Sequence, residues 1–467
     1  MGLLKFEVNF ADLALDFDLR VDPKFYKFAV PTRFNFVSTN KFPLVKLKDV
    51  LIPDYHPFKY EEGRIYKGLP TSSEYFDEDG EILKYLPVTK ENHPERIKYE
   101  ARSGQVIISS LKGAKAPVVL IKEDCEGVVL SNGFYIFRIK ENVRGRRIFW
   151  KYVYYLLKSN LMRMILDESL SRGIGISAYK DIDLLRIKIP LLPEETQKEI
   201  IEKAEKIETE IKNEKQKLIP LQEVIDNVFV KYGIKNSKFK KINSESFVTE
   251  FVNISQKIFL RCGVKYRAFW DVQDGLLFKG TKYQIKRLGS LIKFHKTKIL
   301  KKGTLDNEYI LIELEDIEER TGKIINSKRV VTDIDSDKIC FNDSDILTTK
   351  LRPYLGYTIL NTHQSEMIGT TELLPFKVVS DLALPAYIKY LLLSYEYLEK
   401  SAFLMYGKEH PRIHLLDLLD IKVPCPDLDT QKKVVSEIEE QEKINEEAKG
   451  KIEKLREDIN KIIFENF

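Results

Sequence analysis

The sequence predicts an α+β fold in which two tandem globular domains are each followed by a long helix. Three observations lead to this prediction. One unit of roughly half the 467 residues occurs twice in the chain, which is the signature of a tandem repeat. Each copy ends in a stretch with helical apolar spacing, and the stretches before it mix short β-branched runs with turn residues.

The repeat is clearest at the end of each copy. Segment LLRIKIPLLPEETQKEI (184–200) aligns without a gap with LLDIKVPCPDLDTQKKV (418–434), so that Gln197 corresponds to Gln431, 234 residues further on. Upstream segments match in pairs with small insertions: FPLVKLKDV (42–50) with YQIKRLGSL (283–291), LRVDPKFY (19–26) with LRCGVKYR (260–267), QVIISSLK (105–112) with DILTTKLR (345–352), and SNGFYIFRI (131–139) with TTELLPFKV (370–378). The duplication therefore covers essentially the whole chain.

The first part of each copy predicts a globular domain. Short β-branched runs bounded by turn residues are typical of strands, and they include VVLIKED (118–124), YILIELED (309–316) and KICF (338–341). The most apolar stretch, from Tyr387 to Tyr397, contains charged residues and is too short to span a membrane, so it predicts a buried helix. These patterns divide the chain into four parts: globular domains at 1–190 and 236–424, and helices at 191–235 and 425–467.

Each copy ends in an amphipathic helix whose apolar residues recur at spacings of three, four or seven. The seam of the first helix comprises Ile200, Ala204, Ile207, Ile211, Leu218, Leu221, Ile225 and Val228. The seam of the second comprises Val434, Ile438, Gln441, Asn445, Ala448, Ile452, Leu455, Ile459 and Ile462. Because such a stripe must be buried, we expect the two helices to pair as a coiled coil. Polar seam residues such as Gln441 and Asn445 commonly select register or partner, at some cost in stability.

Both helices are predicted to begin after a proline-bearing loop, with acidic residues that suit the positive end of the helix dipole: Glu194, Glu195, Asp427 and Asp429. Pro220 falls inside the first helix but off its seam. We therefore expect a kink or a short break between Lys217 and Leu221. Lys454 occupies the corresponding place in the second helix, which predicts a straighter course.

The composition indicates a folded protein of the reducing cytoplasm. Hydrophobic residues make up 43% and charged residues 31% of the chain, as in ordinary globular proteins. The net charge is only +5, so any basic surface for a nucleic acid must be local. The four cysteines form no CxxC pair, which argues against zinc ribbons and a disulfide framework. Charged residues interrupt the amino-terminal stretch too early for a signal peptide.

Three local patterns resemble the specificity subunit of Type I restriction-modification systems, over nearly the full length of the chain. The loops leading into the two helices, IPLLPEETQKEIIEKAEKI (189–207) and VPCPDLDTQKKVVSEIEEQ (423–441), are similar to the family's entry into its spacer helices. DILTTKLRPYLGYTIL (345–360), followed by GTTELLPFKV (369–378), is similar to its target-recognition domains, and LRVDPKFY resembles a start found in relatives of the group. The first copy departs from this pattern, because SSLKGAKAPVV (109–119) lacks the Arg-Pro-Tyr of the second.

The resemblance implies a non-catalytic, sequence-specific DNA-binding subunit. In that family each target-recognition domain recognises one half of a bipartite double-stranded DNA site, and the two helices pack antiparallel as a spacer. Methyltransferase (modification) and restriction/translocase subunits supply the chemistry. A helix of roughly 35 residues rises about 50 Å, so a paired spacer would act as a ruler between half-sites. Tandem domains joined by an antiparallel pair also give pseudo-two-fold symmetry.

Basic and aromatic residues are the expected DNA contacts. Lys350, Arg352 and Tyr354 alternate with apolar residues, and arginine bonds guanine edges while lysine anchors phosphate. The alternative is that Arg352 makes a structural hydrogen bond and the strip supports the fold. Further candidates are the basic cluster Lys293, His295, Lys296 and Lys298, which continues to Lys301 and Lys302; Lys112 and Lys115 of the first copy; and Arg172, Lys408 and Arg412 near Gly173 and Gly407. For a single lysine a solvated face is the commoner explanation, and the two glycines alternatively mark ordinary turns.

No pattern indicates catalysis, a cofactor or a metal site. The GIG at 173–175 lacks the third glycine and the preceding strand of a dinucleotide loop, and no phosphate-binding GxxxxGKS or GxxxxGKT occurs. The Asn-Pro-Pro-aromatic and Asp-Pro-Pro-aromatic elements of amino-methyltransferases are also missing. His410 and His414 have i, i+4 spacing, but Pro411 lies between them and no further ligand is nearby.

Three alternatives stand beside the DNA-specificity hypothesis. The chain could be the specificity partner of a fused restriction–methylation enzyme, with the modification and restriction activities on one polypeptide. It could be a tandem coiled-coil scaffold that binds only proteins, in which case the basic strip would not affect DNA affinity. It could be a nuclease, although no metal-binding constellation is recognisable.

Overall fold

The computed structural model describes residues 42–92, 94–170, 180–238, 264–267, 269–270, 274–303, 305, 307–325, 329–341, 344–361 and 367–465. The chain divides into two compact units: unit 1 comprises Met1–Asn213 with Lys451–Phe467, and unit 2 comprises Glu214–Gly450. Both units combine strands and helices, which confirms the mixed α and β class predicted from the sequence. The segment 19–26, Arg172 and Gly173 lie outside the described residues.

Unit 1 is built from short strands followed by helices. Its strands are β1 Leu44–Lys46, β2 Leu51–Pro53, β3 Tyr66–Leu69, β4 Leu86–Val88, β5 Ile97–Glu100, β6 Val106–Ser109, β7 Val118–Leu120, β8 Val128–Ser131, β9 Phe134–Ile139, β10 Asn142–Val143, β11 Arg146–Arg147 and β12 Lys188–Pro190. Its helices are α1 Leu47–Val50, α2 Trp150–Lys158, α3 Asn160–Met164, α4 Asp181–Leu185 and α5 Glu194–Lys215, whose last two residues belong to unit 2.

Two four-stranded sheets form the body of unit 1. One has the order β2-β9-β6-β7 and is antiparallel throughout. The other has the order β4-β3-β8-β5, in which β3 and β8 run parallel. Side chains alternate between the faces of a strand, so Val106 and Ile108 of β6 join the core beneath the helices while Ile107 joins the core on the opposite face. This explains why the apolar run of β6 is continuous.

Unit 2 contains a similar series of elements. Its strands are β13 Ile285–Arg287, β14 Ile292–Phe294, β15 Ile299–Leu300, β16 Tyr309–Ile312, β17 Val330–Val331, β18 Lys338–Cys340, β19 Ile346–Thr349, β20 Thr358–Leu360, β21 Met367–Thr370, β22 Leu373–Val378, β23 Met405–Tyr406, β24 Arg412–Ile413 and β25 Lys422–Pro424. Its helices are α6 Leu221–Lys231, α7 Val264–Arg267, α8 Leu288–Leu291, α9 Pro385–Leu393, α10 Tyr395–Leu404, α11 Leu415–Asp420 and the first part of α12 Leu428–Glu465.

The sheets of unit 2 repeat those of unit 1. The order β14-β22-β19-β20 corresponds to β2-β9-β6-β7. The second sheet, β15-β18-β21-β16-β17, again contains one parallel pair, β16 with β21. The aligned sequence segments occupy equivalent strands, since QVIISSLK contains β6 and DILTTKLR contains β19. The alternation also recurs, with Ile346 and Leu347 of β19 in different cores.

One buried glutamine in each unit ties the entry of the long helix to the preceding domain. The amide of Gln197 accepts a hydrogen bond from Phe149 N at 2.9 Å and donates to Leu192 O at 2.8 Å. The amide of Gln431 accepts from Leu384 N at 2.9 Å and donates to Pro426 O at 2.8 Å. Buried polar groups are stable only when they are paired in this way, which explains why Thr-Gln-Lys recurs in both copies.

The predicted interruption of the first helix at Pro220 is confirmed. Helix α5 ends at Lys215 and α6 begins at Leu221, with Pro220 as its N-cap residue. Proline removes a backbone donor and disfavours helical geometry in the residue before it. The second helix, α12, is continuous over its 38 residues and has Lys454 at the corresponding position. The division between the units falls inside these helical stretches, whereas the sequence predicted boundaries at 190, 235 and 424.

The structure buries most of the predicted seam. Ile200, Ala204, Ile211, Leu221, Ile225, Val228, Val434, Ile438, Ala448, Ile452 and Leu455 are buried. Ile207, Leu218, Gln441, Asn445, Ile459 and Ile462 are half-buried. Near the end of α12 the fully buried residue is Ile463, which neighbours the predicted Ile462. Within the described residues, no helix combines the length and the apolar character needed to cross a membrane.

Candidate nucleic-acid interface

Two loops of unit 2 that the sequence analysis treated separately are paired in the structure. The first, residues 350–356, follows strand β19, and the second, residues 407–412, connects β23 to β24. Arg352 N donates to Pro411 O, and Ile413 N donates to Lys350 O, both at 2.9 Å. We call residues 350–356 and 407–412 the loop pair. It brings together five of the predicted contact residues: Lys350, Arg352, Tyr354, Lys408 and Arg412.

Local sequence forces the first loop into a tight turn. Thr349 closes it at the strand end, because its hydroxyl donates to Leu351 O at 2.9 Å and accepts from Leu351 N at 3.1 Å. Arg352 has φ 46° and ψ 56°, the left-handed conformation that few non-glycine residues adopt. Pro353 then opens a single 3-10 turn, Pro353–Leu355. Unusual backbone conformations of this kind are common where a side chain must be presented to a ligand.

Arg412 acts as a brace between the two loops and the adjacent hairpin. Its guanidinium donates to both carboxylate oxygens of Glu372, through Nη2 at 2.8 Å and Nε at 3.0 Å. A third bond runs from Nη1 to His410 O at 3.0 Å. Glu372 also accepts Lys350 N at its backbone oxygen, at 2.9 Å. These bonds hold the Arg412 guanidinium to the protein, and its predicted contact with DNA stays a prediction.

The charge of Glu372 is maintained by its cationic neighbours. Burial acts to raise the pKa of its carboxyl group, but the hydrogen bonds from Arg412 and the charges of Lys350, Arg412 and His410 outweigh this effect and hold the pKa below 4.5. The glutamate was not among the residues predicted from the sequence. The sequence did carry a signal for this glutamate, because Glu372 follows two threonines in the turn between two strands, opposite the Arg-Pro-Tyr loop.

Exposure separates the residues that can meet a ligand from those that support them. Arg352, Lys408 and His410 are exposed, whereas Lys350 and Tyr354 are half-buried. The Arg352 side chain makes one bond to the protein in the part of the chain that is described, from Nη2 to Glu409 O at 3.2 Å. The loop pair therefore presents a basic surface whose centre is Arg352. Such a surface suits phosphate groups and the acceptor-rich edge of guanine.

The second predicted cluster begins with Lys293 on the edge strand β14 and continues through the segment between β14 and β15, which contains His295, Lys296 and Lys298. Lys293, on β14, stands opposite Lys377 of β22, and Lys377 is held by Asp345 at 3.2 Å. His295 N donates to Pro375 O at 2.9 Å, and Pro375 lies three residues after Glu372 in the chain. Lys293, Lys296 and Lys298 are exposed and His295 is half-buried. Lysines on edge strands also prevent strand-to-strand aggregation, so this cluster has a second explanation that does not involve DNA.

In unit 1, the predicted residues Lys112 and Lys115 lie on a loop after β6. Lys112 is exposed and Lys115 is half-buried. The loop is attached to the following helical segment through Gly113 N, which donates to Asp167 Oδ1 at 2.8 Å. Its position after β6 is equivalent to that of the Arg352 loop after β19. Lys112 therefore corresponds to Arg352, although the loop has neither the proline nor the tyrosine.

Sequence analysis did not predict a polar cluster around Asp54 in unit 1. The carboxylate accepts Gln105 Nε2 and Arg138 Nε, each at 2.8 Å, and lies 3.1 Å from His56 Nε2. Burial acts to raise the pKa of Asp54, but these hydrogen bonds lower it overall. Gln105 and Arg138 lie 51 and 84 residues from Asp54 in the sequence, so only strand pairing brings them to it. Arg138 remains half-exposed on the strand equivalent to that of Lys377.

Among the described residues, no group of three or more His, Cys, Asp or Glu side chains is placed to hold a metal ion. The chemistry that this part of the chain offers is recognition by cations, hydrogen-bond donors and aromatic rings.

Comparison with known proteins gives one family. Residues 281–457 match the family model described as the Type I restriction modification DNA specificity domain. This match confirms the resemblance predicted from the sequence, to the specificity subunits that are the non-catalytic recognition components of restriction-modification systems. A comparison with curated protein sequences found no match.

Three solved structures are similar to the chain at low sequence identity. One comes from a study of complex assembly and conformational transition of the type I R-M system. It is 16% identical in sequence, the match covers 92% of this chain and 99% of that chain, and the TM-score is 0.45. The HsdS subunit from Thermoanaerobacter tengcongensis has 16% identity, coverage of 92% and 97%, and a TM-score of 0.35. The Type-I restriction-modification system S subunit from M. genitalium has 14% identity, coverage of 92% and 98%, and a TM-score of 0.44.

Proposed function

We propose that this chain recognises a bipartite double-stranded DNA site, because residues 281–457 match the family model described as the Type I restriction modification DNA specificity domain. Each unit recognises one half-site. The chain directs methyltransferase and restriction subunits to that site and supplies no catalysis itself.

The loop pair carries the proposal for unit 2. Arg352 is exposed and held in a left-handed turn, and the loop pair that contains it also carries Lys350, Lys408 and His410. We propose that Arg352 contacts a base edge in the major groove and that the lysines neutralise phosphates. Tyr354, the cluster around Lys293 and the guanidinium of Arg412 are proposed as supporting contacts.

The repeated strand order supports a second recognition surface in unit 1. We propose that the loop containing Lys112 and Lys115 faces the other half-site, together with Arg172, and that half-exposed Arg138 adds a further cation. Since the two loops have different sequences on equivalent strands, the two half-sites should differ. A bipartite, asymmetric target follows from this arrangement.

The helices are proposed as the spacer between half-sites. Within unit 2, Leu221 and Ile225 of α6 share a core with Val434 and Ile438 at the start of α12. Within unit 1, Ile200 and Ala204 share a core with Ile463, near the end of α12. Within each unit, apolar residues of both helices are therefore buried in one core, which supports their pairing.

Selection from a random duplex library tests the proposal. The full chain, assembled with its methyltransferase partner, should enrich a split motif, and its DNA affinity should fall steeply with salt as counterions return to the DNA. The double variant Lys350→Ala with Arg352→Ala should lose the preference for one half-site by about 10- to 100-fold, the usual value of a bidentate base contact.

A matched control keeps the change of charge constant. Lys432 and Lys433 are exposed lysines on α12 in the same unit, and replacing both by alanine also removes two positive charges. This control should retain the sequence preference. If the unaltered assembly enriched no sequence over random DNA, the proposal would fail in favour of a protein-binding scaffold.

A further inference from the structure

The break in the first long helix is closed by two polar side chains of α12. Asn445 Nδ2 donates to Ile219 O at 2.7 Å, and Asn445 Oδ1 accepts from Ile219 N at 3.2 Å. Gln441 Nε2 reaches Lys217 O at 3.4 Å and Asn445 Oδ1 at 3.3 Å. We call these two side chains and residues 217–219 the elbow clamp. All of its atoms belong to unit 2.

The chemistry of the clamp matches the geometry of the break. A residue before proline is extended, and helix ends leave backbone groups without helical partners. Ile219 precedes Pro220, so its N–H and C=O are available to a side chain. A primary amide carries one donor and one acceptor side by side and can satisfy both groups at once. Asn445 is half-buried between the apolar seam residues Ile438 and Ala448, where an unpaired amide would be unfavourable.

The internal duplication provides a natural comparison. In the first helix the residues equivalent to Gln441 and Asn445 are Ile207 and Ile211, both apolar. The residue equivalent to Pro220 is Lys454, which lies inside the continuous helix α12. The polar residues Gln441 and Asn445 therefore occur on the second helix, and the first helix is the one broken at Pro220. The equivalent residues of the first helix are apolar, and the second helix is unbroken.

Hydrogen bonds connect the elbow to the loop pair within unit 2. Gln222, in the first turn of α6, donates from Nε2 to Arg320 O and, at 3.3 Å, to Leu393 O. Arg320 N in turn donates to Leu355 O at 3.0 Å, at the end of the 3-10 turn that follows Arg352. The clamp also lies beside the two places where the chain passes between units, after Asn213 and after Gly450.

We infer that Gln441 and Asn445 are positioning residues that hold the elbow rigid and thereby restrict the length of DNA accepted between the two half-sites. The inference rests on the proposed function. A rigid elbow fixes the start of α6, which is connected to the loop pair through Gln222, Arg320 and Leu355, so that one separation of half-sites is favoured. A loosened elbow would let the same two surfaces engage half-sites at neighbouring separations.

The test uses Asn445→Leu and the double variant Gln441→Ala with Asn445→Ala, in the full chain assembled with its methyltransferase partner. Leucine at 445 preserves apolar packing in the seam but removes both bonds to Ile219, so it separates positioning from stability. Lys443→Leu is the matched control, since it introduces the same residue at an exposed position two residues earlier. Each protein is presented with duplexes that contain the two selected half-sites separated by gaps of different length.

The expected result is a broader gap preference in the variants. Binding to gaps one base pair longer or shorter than the preferred one should gain about tenfold relative to the preferred gap, in keeping with the loss of two or three hydrogen bonds. Hydrogen exchange of a peptide covering residues 216–223 should accelerate about tenfold in Asn445→Leu and stay unchanged in Lys443→Leu.

Two results would overturn the inference while leaving the proposed function intact. One is accelerated exchange at residues 216–223 with an unchanged gap preference, because the elbow would then be loose without consequence. The other is unchanged exchange in both Asn445 variants, because the clamp would then not hold the break. If the unaltered protein selected no bipartite site, the proposed function itself would fail, so the two failures are distinguishable.

Discussion

Arg352 and Arg412 illustrate how two arginines in adjacent loops can have different tasks. Both were predicted to contact DNA, on the basis of their residue type and their neighbours. Arg412 makes three bonds within the protein, to Glu372 and His410, whereas Arg352 is exposed in a left-handed turn. Sequence alone does not distinguish them, because the distinguishing partner, Glu372, lies 40 residues from Arg412 in the chain.

The ion pair between Arg412 and Glu372 should contribute a modest, pH-dependent stability. We expect Glu372→Gln to lower the free energy of unfolding by about 1 kcal/mol at neutral pH, since the pair is partly exposed to solvent. The folded-state pKa of Glu372 lies below 4.5. The contribution is therefore complete above that pH and is lost as the pH falls through the lower folded value.

Urea unfolding of the unaltered chain and of Glu372→Gln, measured in parallel from about pH 7 down to about pH 3, checks this prediction. The two midpoints should converge in acid. A difference that stays constant over the whole range would mean that the glutamate stabilises the loops through packing and not through its charge.

Lys400 should give a pH dependence of the same sign in an alkaline range, because burial disfavours its charged form. Its ammonium group is buried and donates to Leu276 O at 3.1 Å and to Leu277 O. Burial lowers its pKa from 10.5 to about 8, against the opposing influence of Glu396. Between about pH 8 and pH 10.5, Lys400 is therefore protonated in the unfolded chain and has released its proton in the folded chain. The contribution of Lys400 to the free energy of unfolding should rise with pH across that window.

The variant Lys400→Met isolates this effect, because methionine has similar length and does not titrate. The free energy of unfolding of the unaltered chain, relative to Lys400→Met, should increase between pH 8 and pH 10. A flat difference would show that Lys400 keeps its ordinary pKa in the folded chain.

At the scale of elements, the long and strongly periodic segments were predicted well and the short ones were not. The two long helical stretches and the break at Pro220 follow from helical spacing and from the chemistry of proline. The single helix predicted from Tyr387 to Tyr397 is wrong in its bounds, because α9 ends at Leu393 and α10 begins at Tyr395, with Ser394 between them. The two-residue strands β10, β11, β23 and β24 leave no periodic signal, since their pairing depends on partners elsewhere in the chain. For the same reason, the pairing of the loops at 350 and 407 was not predicted.

The recurring glutamines offer a matched test of one element in two settings. Gln197→Ala and Gln431→Ala should each lower the free energy of unfolding by about 2 to 4 kcal/mol, because each leaves buried backbone groups without partners. The neighbouring exposed residues supply the controls, and Lys198→Ala and Lys432→Ala should change stability by less than about 0.5 kcal/mol.

Thermal or urea unfolding of the four variants measures these effects. An outcome in which the glutamine variants resemble the lysine variants would mean that water replaces the lost amide. In that case the recurrence of Thr-Gln-Lys would need an explanation other than burial.

At the scale of the whole molecule, two equivalent folds carry different loops, which predicts that specificity is modular. Alanine at Arg352 should relax recognition of one half-site and leave the other unchanged, whereas alanine at Lys112 should act only on the other half. Sequence logos from duplex selection with each variant would reveal this separation. Equal loss at both half-sites would contradict modular recognition.

The duplication was predictable at this scale because both copies keep the glutamine, the proline loop and the seam. The Asp54 cluster was not, because its counterpart in unit 2 uses Asp345, which precedes β19, to hold Lys377. Residues that recur in both copies thus reveal the architecture. The contacts of the polar residues that differ between the copies are recognisable only once the strands are paired.

The path of helix α12 also has a consequence for biosynthesis. Ile463 completes the core that contains Ile200 and Ala204, yet all of Glu214–Gly450 is translated between them. At ribosomal rates of about 5 to 20 residues per second, that interval lasts about 10 to 50 s. We expect the part of this core that Ile463 covers to stay exposed in the nascent chain throughout this time. The half that is made first is therefore completed last, and chaperones have a defined period in which to bind it.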